Sequence, residues 1–225
     1  MSFWSGVKDF FTSVGNAISN TLRNSPMMQK LMPILMTVIP PPFDAIAYLA
    51  IQLISEAMGV KEDPDQLGFQ MNEADKIPED FESFKEYKAY LDEEFPFDQA
   101  KYDALSAEQK GACRYSGMAG VMAELKESSG FEITPNALGI LAHGAAALKW
   151  DNATIAKFAE GLSTSFRDTG IASLSPLYAL VKGTLDPGKY DVVIGAVDAG
   201  AKAAGVKEDS ETIVSSLQES SKENI

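Results

Sequence analysis

Cysteine and histidine are nearly absent: Cys113 and His143 are the only examples in 225 residues. A single thiol excludes an internal disulfide. A zinc site needs three or four clustered N, S or O ligands, and no His–Cys grouping supplies them. A Cys–His dyad would need the fold to bring Cys113 and His143 together across thirty residues of chain. Each has a simpler account. Cys113 lies among Ala112, Tyr115 and Met118, where a lone cysteine acts as a small core hydrophobe. His143 sits in a helix of small residues, Leu141–Ala145, where it packs or reaches solvent. No catalytic residue, metal ligand or cofactor is therefore assigned, and the expectation is a protein that is not an enzyme.

Positive charge is also scarce. Lys and Arg number 19 against 32 Asp and Glu, a net charge of −13. Nucleic-acid binding depends on concentrated Lys and Arg against phosphate, so no nucleic-acid partner is expected. Long apolar runs are missing too. Residues 31–39 are apolar, but Pro40, Pro41 and Pro42 follow, and Asp44 and Glu56 interrupt the next stretch. A spanning helix takes about 20 apolar residues, so the chain is expected to lie on a bilayer without crossing it. Residues 1–22 lack the basic start and continuous apolar stretch of a secretory signal, and Ser2 occupies the place where myristoylation requires glycine. Asn152-Ala153-Thr154 has the glycosylation pattern, which carries little meaning without export.

What is present is unevenly spread. Residues 1–60 hold three bases and three acids, residues 61–130 hold 17 acids against 8 bases, and residues 131–225 hold 12 against 8. The front is greasy and neutral, the middle acidic, the rear rich in Ala and Gly.

The sharpest periodicity lies in residues 3–22. At about 100° per residue, Phe3, Trp4, Val7, Phe10, Phe11, Val14, Ile18 and Leu22 share a sector roughly 120° wide. The opposite side carries Ser5, Asp9, Thr12, Ser13, Asn16, Asn20 and Arg23. This pattern predicts an amphipathic helix with an aromatic face. It is the candidate surface for a membrane or an apolar protein groove. Met28, Met32 and Met36 extend it with adaptable side chains. Its polar side is Ser/Thr/Asn-rich, so binding is expected to rest on apolar area and to depend weakly on salt. The competing expectation is that the same face packs on the rest of the chain.

Beyond the triple proline, residues 43–58 predict a helix apolar nearly all round, covered by protein or by lipid. Residues 61–79, with Pro64, Gly68 and Pro78, read as an acidic connecting loop. Further helices are expected at 80–94, from Ser106 to about Ser128 with a Ser106/Gln109 capping box and Gly130 as stop, from Thr134 to Trp150, and from Asp151 to about Asp168. Others start at Ser175 and span 188–204 and 208–222.

Three motifs fall short of a site. Asp63-Pro64-Asp65 with Gly68 opens like a calcium-binding loop, but position five is Leu67 and position twelve is Ala74, where a bidentate carboxylate is needed; an acidic solvated loop fits better. Residues 195–202 glance at a phosphate loop, but Ala201 intervenes before Lys202 and no hydroxyl follows. Gly195, Ala199 and Ala203 read instead as a smooth face for close helix packing. The five residues Gly59–Asp63 recur as Gly205–Asp209. That echo fits two helix exits more simply than a duplicated unit.

The reading is an all-α protein: an apolar, amphipathic N-terminal helical module over 1–60, the loop over 61–79, and a helical bundle body over 80–225. Its expected function is non-catalytic membrane association, placing it peripherally on a membrane. The alternative is a structural subunit of a larger assembly, a virion or secretion particle, in which the N-terminal helix docks on a neighbouring subunit. Homo- or hetero-oligomers fit either case.

Overall fold

Helix limits follow the capping residues. The computed structural model describes Ile39 and residues 43–224. These contain α1 (Asp44–Ala57), α2 (Pro64–Glu73), α3 (Phe84–Glu94), α4 (Gln99–Ala104), α5 (Ala107–Ser129), α6 (Pro135–Ala147), α7 (Asn152–Asp168), α8 (Ser175–Val181), α9 (Tyr190–Ala204) and α10 (Ser210–Asn224). Short 3₁₀ turns stand at Pro78–Asp80 and Pro187–Lys189. The only extended pairing among the described residues is one parallel bridge between Glu132 and Ser173. The architecture is an all-α bundle.

The expected stops and starts recur in detail. Ser106 accepts from the Gln109 amide at 3.2 Å while the Gln109 side chain accepts from the Ser106 amide at 2.9 Å. Gly130 ends α5 in the left-handed region at φ +70°. Asp151 accepts from the Thr154 amide at 2.8 Å and so opens α7. The Gly-Val-Lys-Glu-Asp echo is a shared connector. In each copy the glycine turns left-handed, the valine amide bonds back to a carbonyl of the finished helix, and the aspartate caps the next one.

Two helices depart from the sequence reading. Residues 64–73, expected as loop, form α2, and residues 99–104 form α4. Pro64 occupies the first turn of α2, where its missing N–H costs nothing. Gly68 faces another helix. The helix expected to run through Trp150 stops at Ala147, and Lys149 turns left-handed at φ +56°.

The core is continuous from α1 to α10. α1 buries Ala47, Ala50, Ile51 and Ile54 against α5, α6 and α7, so the apolar wrap of residues 43–58 is covered by protein. Two crossings bring helix backbones unusually close. A Cβ on Gly117 would stand 1.6 Å from the Pro64 carbonyl oxygen, and one on Gly68 would stand 1.8 Å from that of Cys113. Hence α2 and α5 touch backbone to backbone, which only glycine permits. At the α7–α9 crossing, a Cβ on Gly161 would meet Ala203 at 2.8 Å and the Ala199 carbonyl at 3.0 Å. Ala199 and Ala203 thus pack closely as expected. Gly195 does not: it has open space beside it, and Gly200 takes the inner position against Phe158.

Candidate functional site

All eight residues of the predicted binding face (Phe3, Trp4, Val7, Phe10, Phe11, Val14, Ile18 and Leu22) lie outside the described residues. The described chain begins close to a polar junction that ties α1 to the body. The Tyr115 hydroxyl on α5 donates to the Ile39 carbonyl at 2.6 Å, in a fully buried position. One residue earlier on α5, the Arg114 guanidinium bonds Asp44 at 3.2 Å and stands 3.5 Å from Asp65 at the start of α2. It also lies over the Tyr48 ring at 5.3 Å.

Tyr48 in turn donates to Asp63 at 3.1 Å, and Tyr102 of α4 lies beside Asp65. Burial works against the Arg114 charge, but Asp65 and Asp44 more than compensate and raise its affinity for its proton. Burial likewise pushes the Asp65 carboxyl above the usual carboxylate range, with Arg114 opposing. The cation is neutralised by two carboxylates and enclosed by two tyrosines, which makes the junction a clamp joining α1, α2, α4 and α5.

This geometry also accounts for the calcium-like residues. Asp63 is the N-cap of α2, accepting from the Asp65 amide at 2.8 Å and the Gln66 amide at 3.3 Å. Asp65 faces Arg114. Asp63 has hydrogen-bond partners, Asp65 has the ion pair to Arg114 at 3.5 Å although its Oδ1 accepts no hydrogen bond, and among the described residues no cluster of three or more Asp, Glu, His or Cys is arranged to hold a metal ion. Of the other two carboxylates noted in the sequence, Asp44 joins the clamp and Glu56 is exposed.

Cys113 and His143 serve separate places. The Cys113 sulfur accepts from Asn72 at 3.2 Å, and burial pushes its thiol up to about 11, so it stays protonated at neutral pH. His143 is buried in α6 with its ring centroid 3.9 Å from that of Phe43. Residues 195–202 lie within α9 and form no phosphate loop.

A second polar cluster was not legible beforehand. Lys88 of α3 reaches Glu62 at 3.0 Å and Asp92 at 3.3 Å, and Gln70 of α2 donates to Asp92 at 3.1 Å. Beside them, Glu124 of α5 has its Oε2 atom buried without a hydrogen bond. Burial, then the charge of Glu62, pushes the Glu124 carboxyl up to about 7. Only the 36-residue gap between Lys88 and Glu124 closing in space creates this site, and no spacing in the sequence announces it.

The outer surface is polar. Among the described residues, Tyr190 is the one large apolar side chain that stands well exposed, at 47%. No described helix is long and apolar enough to cross a membrane. Residues 1–42 contain Lys8, Arg23, Lys30 and Asp9, a net +2, which leaves −15 on residues 43–225. No family model, curated protein or solved structure matches the chain.

Proposed function

We propose that the protein is a non-catalytic membrane-associating protein whose binding element is the aromatic face of residues 3–22. The observation that carries this reading is the division of labour along the chain. The described body spends its large apolar side chains on its own core and leaves Tyr190 as its single well-exposed one. Its surface carries a strong negative charge, which anionic lipid would repel. The N-terminal residues combine three Phe and one Trp in a single sector with a net positive charge. Each such side chain contributes roughly 1.5–3 kcal/mol when transferred out of water. Four of them are enough for reversible interfacial binding once ordering losses are subtracted.

The test is flotation of the full chain with neutral vesicles at low and at high salt, beside a full chain in which Phe3, Trp4, Phe10 and Phe11 are all changed to serine. The wild-type chain floats at both salt concentrations and the substituted chain stays at the bottom. Equal behaviour of the two chains would remove the proposal. Lipid-free oligomers that dissociate on the same substitutions would replace it with the assembly role.

A further inference from the structure

We propose that the rings of Phe81, Tyr90 and Phe95 form a platform for a quaternary ammonium group, the choline head of a phosphatidylcholine surface. Phe81 lies in the turn before α3, Tyr90 on α3, and Phe95 at its end. The Phe81 and Tyr90 rings stand 5.2 Å apart, centroid to centroid, with their planes 38° from parallel, and Phe95 meets Tyr90 edge-on at 5.6 Å. Behind them the fully buried Tyr87 packs on Phe81 at 5.3 Å and stacks on Tyr90 at 6.4 Å, so the platform has a fixed backing. The three outer rings are half-buried. A cation already lies on two of them. The Lys76 ammonium stands 4.8 Å from the Tyr90 centroid and 5.8 Å from that of Phe81, and Lys76 itself is exposed.

Ring chemistry and local charge select the ligand. The attraction between a cation and a ring face grows as the cation sheds water, and a quaternary ammonium has no N–H to hold water. Its methyl groups also pack on the rings, which the N–H groups of Lys76 do not. A trimethylammonium therefore displaces Lys76 and leaves that ammonium for the lipid phosphate. The surrounding charge has the right sign. Residues 75–95 hold eight acids against three bases. Asp75 holds the Tyr90 hydroxyl, and Glu94 follows Tyr90 by one turn of α3. Such a surface repels an anionic headgroup and accepts a zwitterionic one by its cationic end. The lipid source rests on the membrane reading above; the platform and its resident cation do not.

A chemical-shift titration of the full chain tests the platform. Tetramethylammonium should bind about fivefold more tightly than ammonium and should move the Phe81, Tyr90 and Lys76 side-chain signals before any others. Phe81→Leu and Tyr90→Leu should each remove that preference. Lys76→Gln should strengthen tetramethylammonium binding, because the resident cation is gone. If the leucine variants fail to fold, the wild-type shifts and Lys76→Gln decide. Equal binding of the two ions, or shifts centred elsewhere, overturns the proposal. Flotation on phosphatidylcholine vesicles and on neutral galactolipid vesicles then tests the source. The wild-type chain should float more readily on the former, and the Phe81→Leu chain equally on both. No such preference in a wild-type chain that binds tetramethylammonium overturns the lipid assignment. Tighter binding of a trimethyl-lysine peptide than of phosphocholine overturns it too, and puts a protein partner in its place. Flotation that fails on both lipids removes the membrane reading and the choline-lipid source with it, while the titration still judges the platform.

Discussion

The α2–α5 crossing and the α7–α9 crossing solve the same problem with different surroundings. Both bring helix backbones together through glycine. At the first, Gly68 and Gly117 meet carbonyls of the opposing helix directly, and charged groups ring the contact: Arg114 with Asp44 and Asp65 on one side, Lys88 with Glu62 and Asp92 on the other. At the second, Gly161 and Gly200 meet Ala199, Ala203 and Phe158, and the crossing opens outward into a shallow groove of about 600 Å³ lined by Lys157, Thr164, Ser165 and Thr169. The difference teaches where pH enters this molecule. Half-buried ionisable groups with raised proton affinity gather around the first crossing, while the second is held by shape.

Five substitutions sharpen that contrast, beginning with the largest expected effect. Gly117→Ala drives a Cβ into backbone that cannot step aside, and it should destabilise the chain by about 4 kcal/mol in urea unfolding. Gly161→Ala meets a methyl and a carbonyl at contact distances that small shifts relieve, and helix propensity partly offsets the crowding, so its loss should be about 1 kcal/mol. Near-equal losses would show the two crossings to be mechanically alike. Arg114→Leu strands Asp44 and Asp65 without their cation. Its loss should be about 2 kcal/mol, and it should shrink in acid where the Asp65 carboxyl, raised by burial, becomes neutral.

Asp63→Ala, which removes the α2 cap and the Tyr48 partner together, should lower stability by about 1 kcal/mol as read by thermal melting. Lys149→Gly has the opposite sign. It relieves a left-handed residue at the end of α6 and should stabilise by about 0.5–1 kcal/mol.

The helices were legible wherever a cap or a stop stood beside a periodic run. Ser106 with Gln109 and Gly130 bracket α5, and Asp151 with Gly170 bracket α7, because local hydrogen bonds fix those ends whatever the tertiary setting. α2 was hidden for a physical reason. Pro64 and Gly68 count as breakers in isolation, but Pro64 sits where no N–H is required and Gly68 sits where no side chain fits. Asp63 resembled a calcium ligand because a cap and an ion site ask for the same group, a carboxylate ahead of a turn, and Asp65 resembled one because its partner Arg114 lies far along the chain. The Arg114 clamp and the Glu124 cluster join residues from three or more elements, so no window along the chain could assemble them. The aromatic face of residues 3–22 is an expectation from periodicity alone, it lies outside the described residues, and it carries the functional proposal.

That proposal is tested most directly by the emission of Trp4 in a full-length Trp150→Phe chain titrated with neutral vesicles. The account predicts a blue shift, quenching by brominated lipid tails, and little change between low and high salt. Emission that stays the same with saturating lipid, while the helical signal of the body persists, would contradict it.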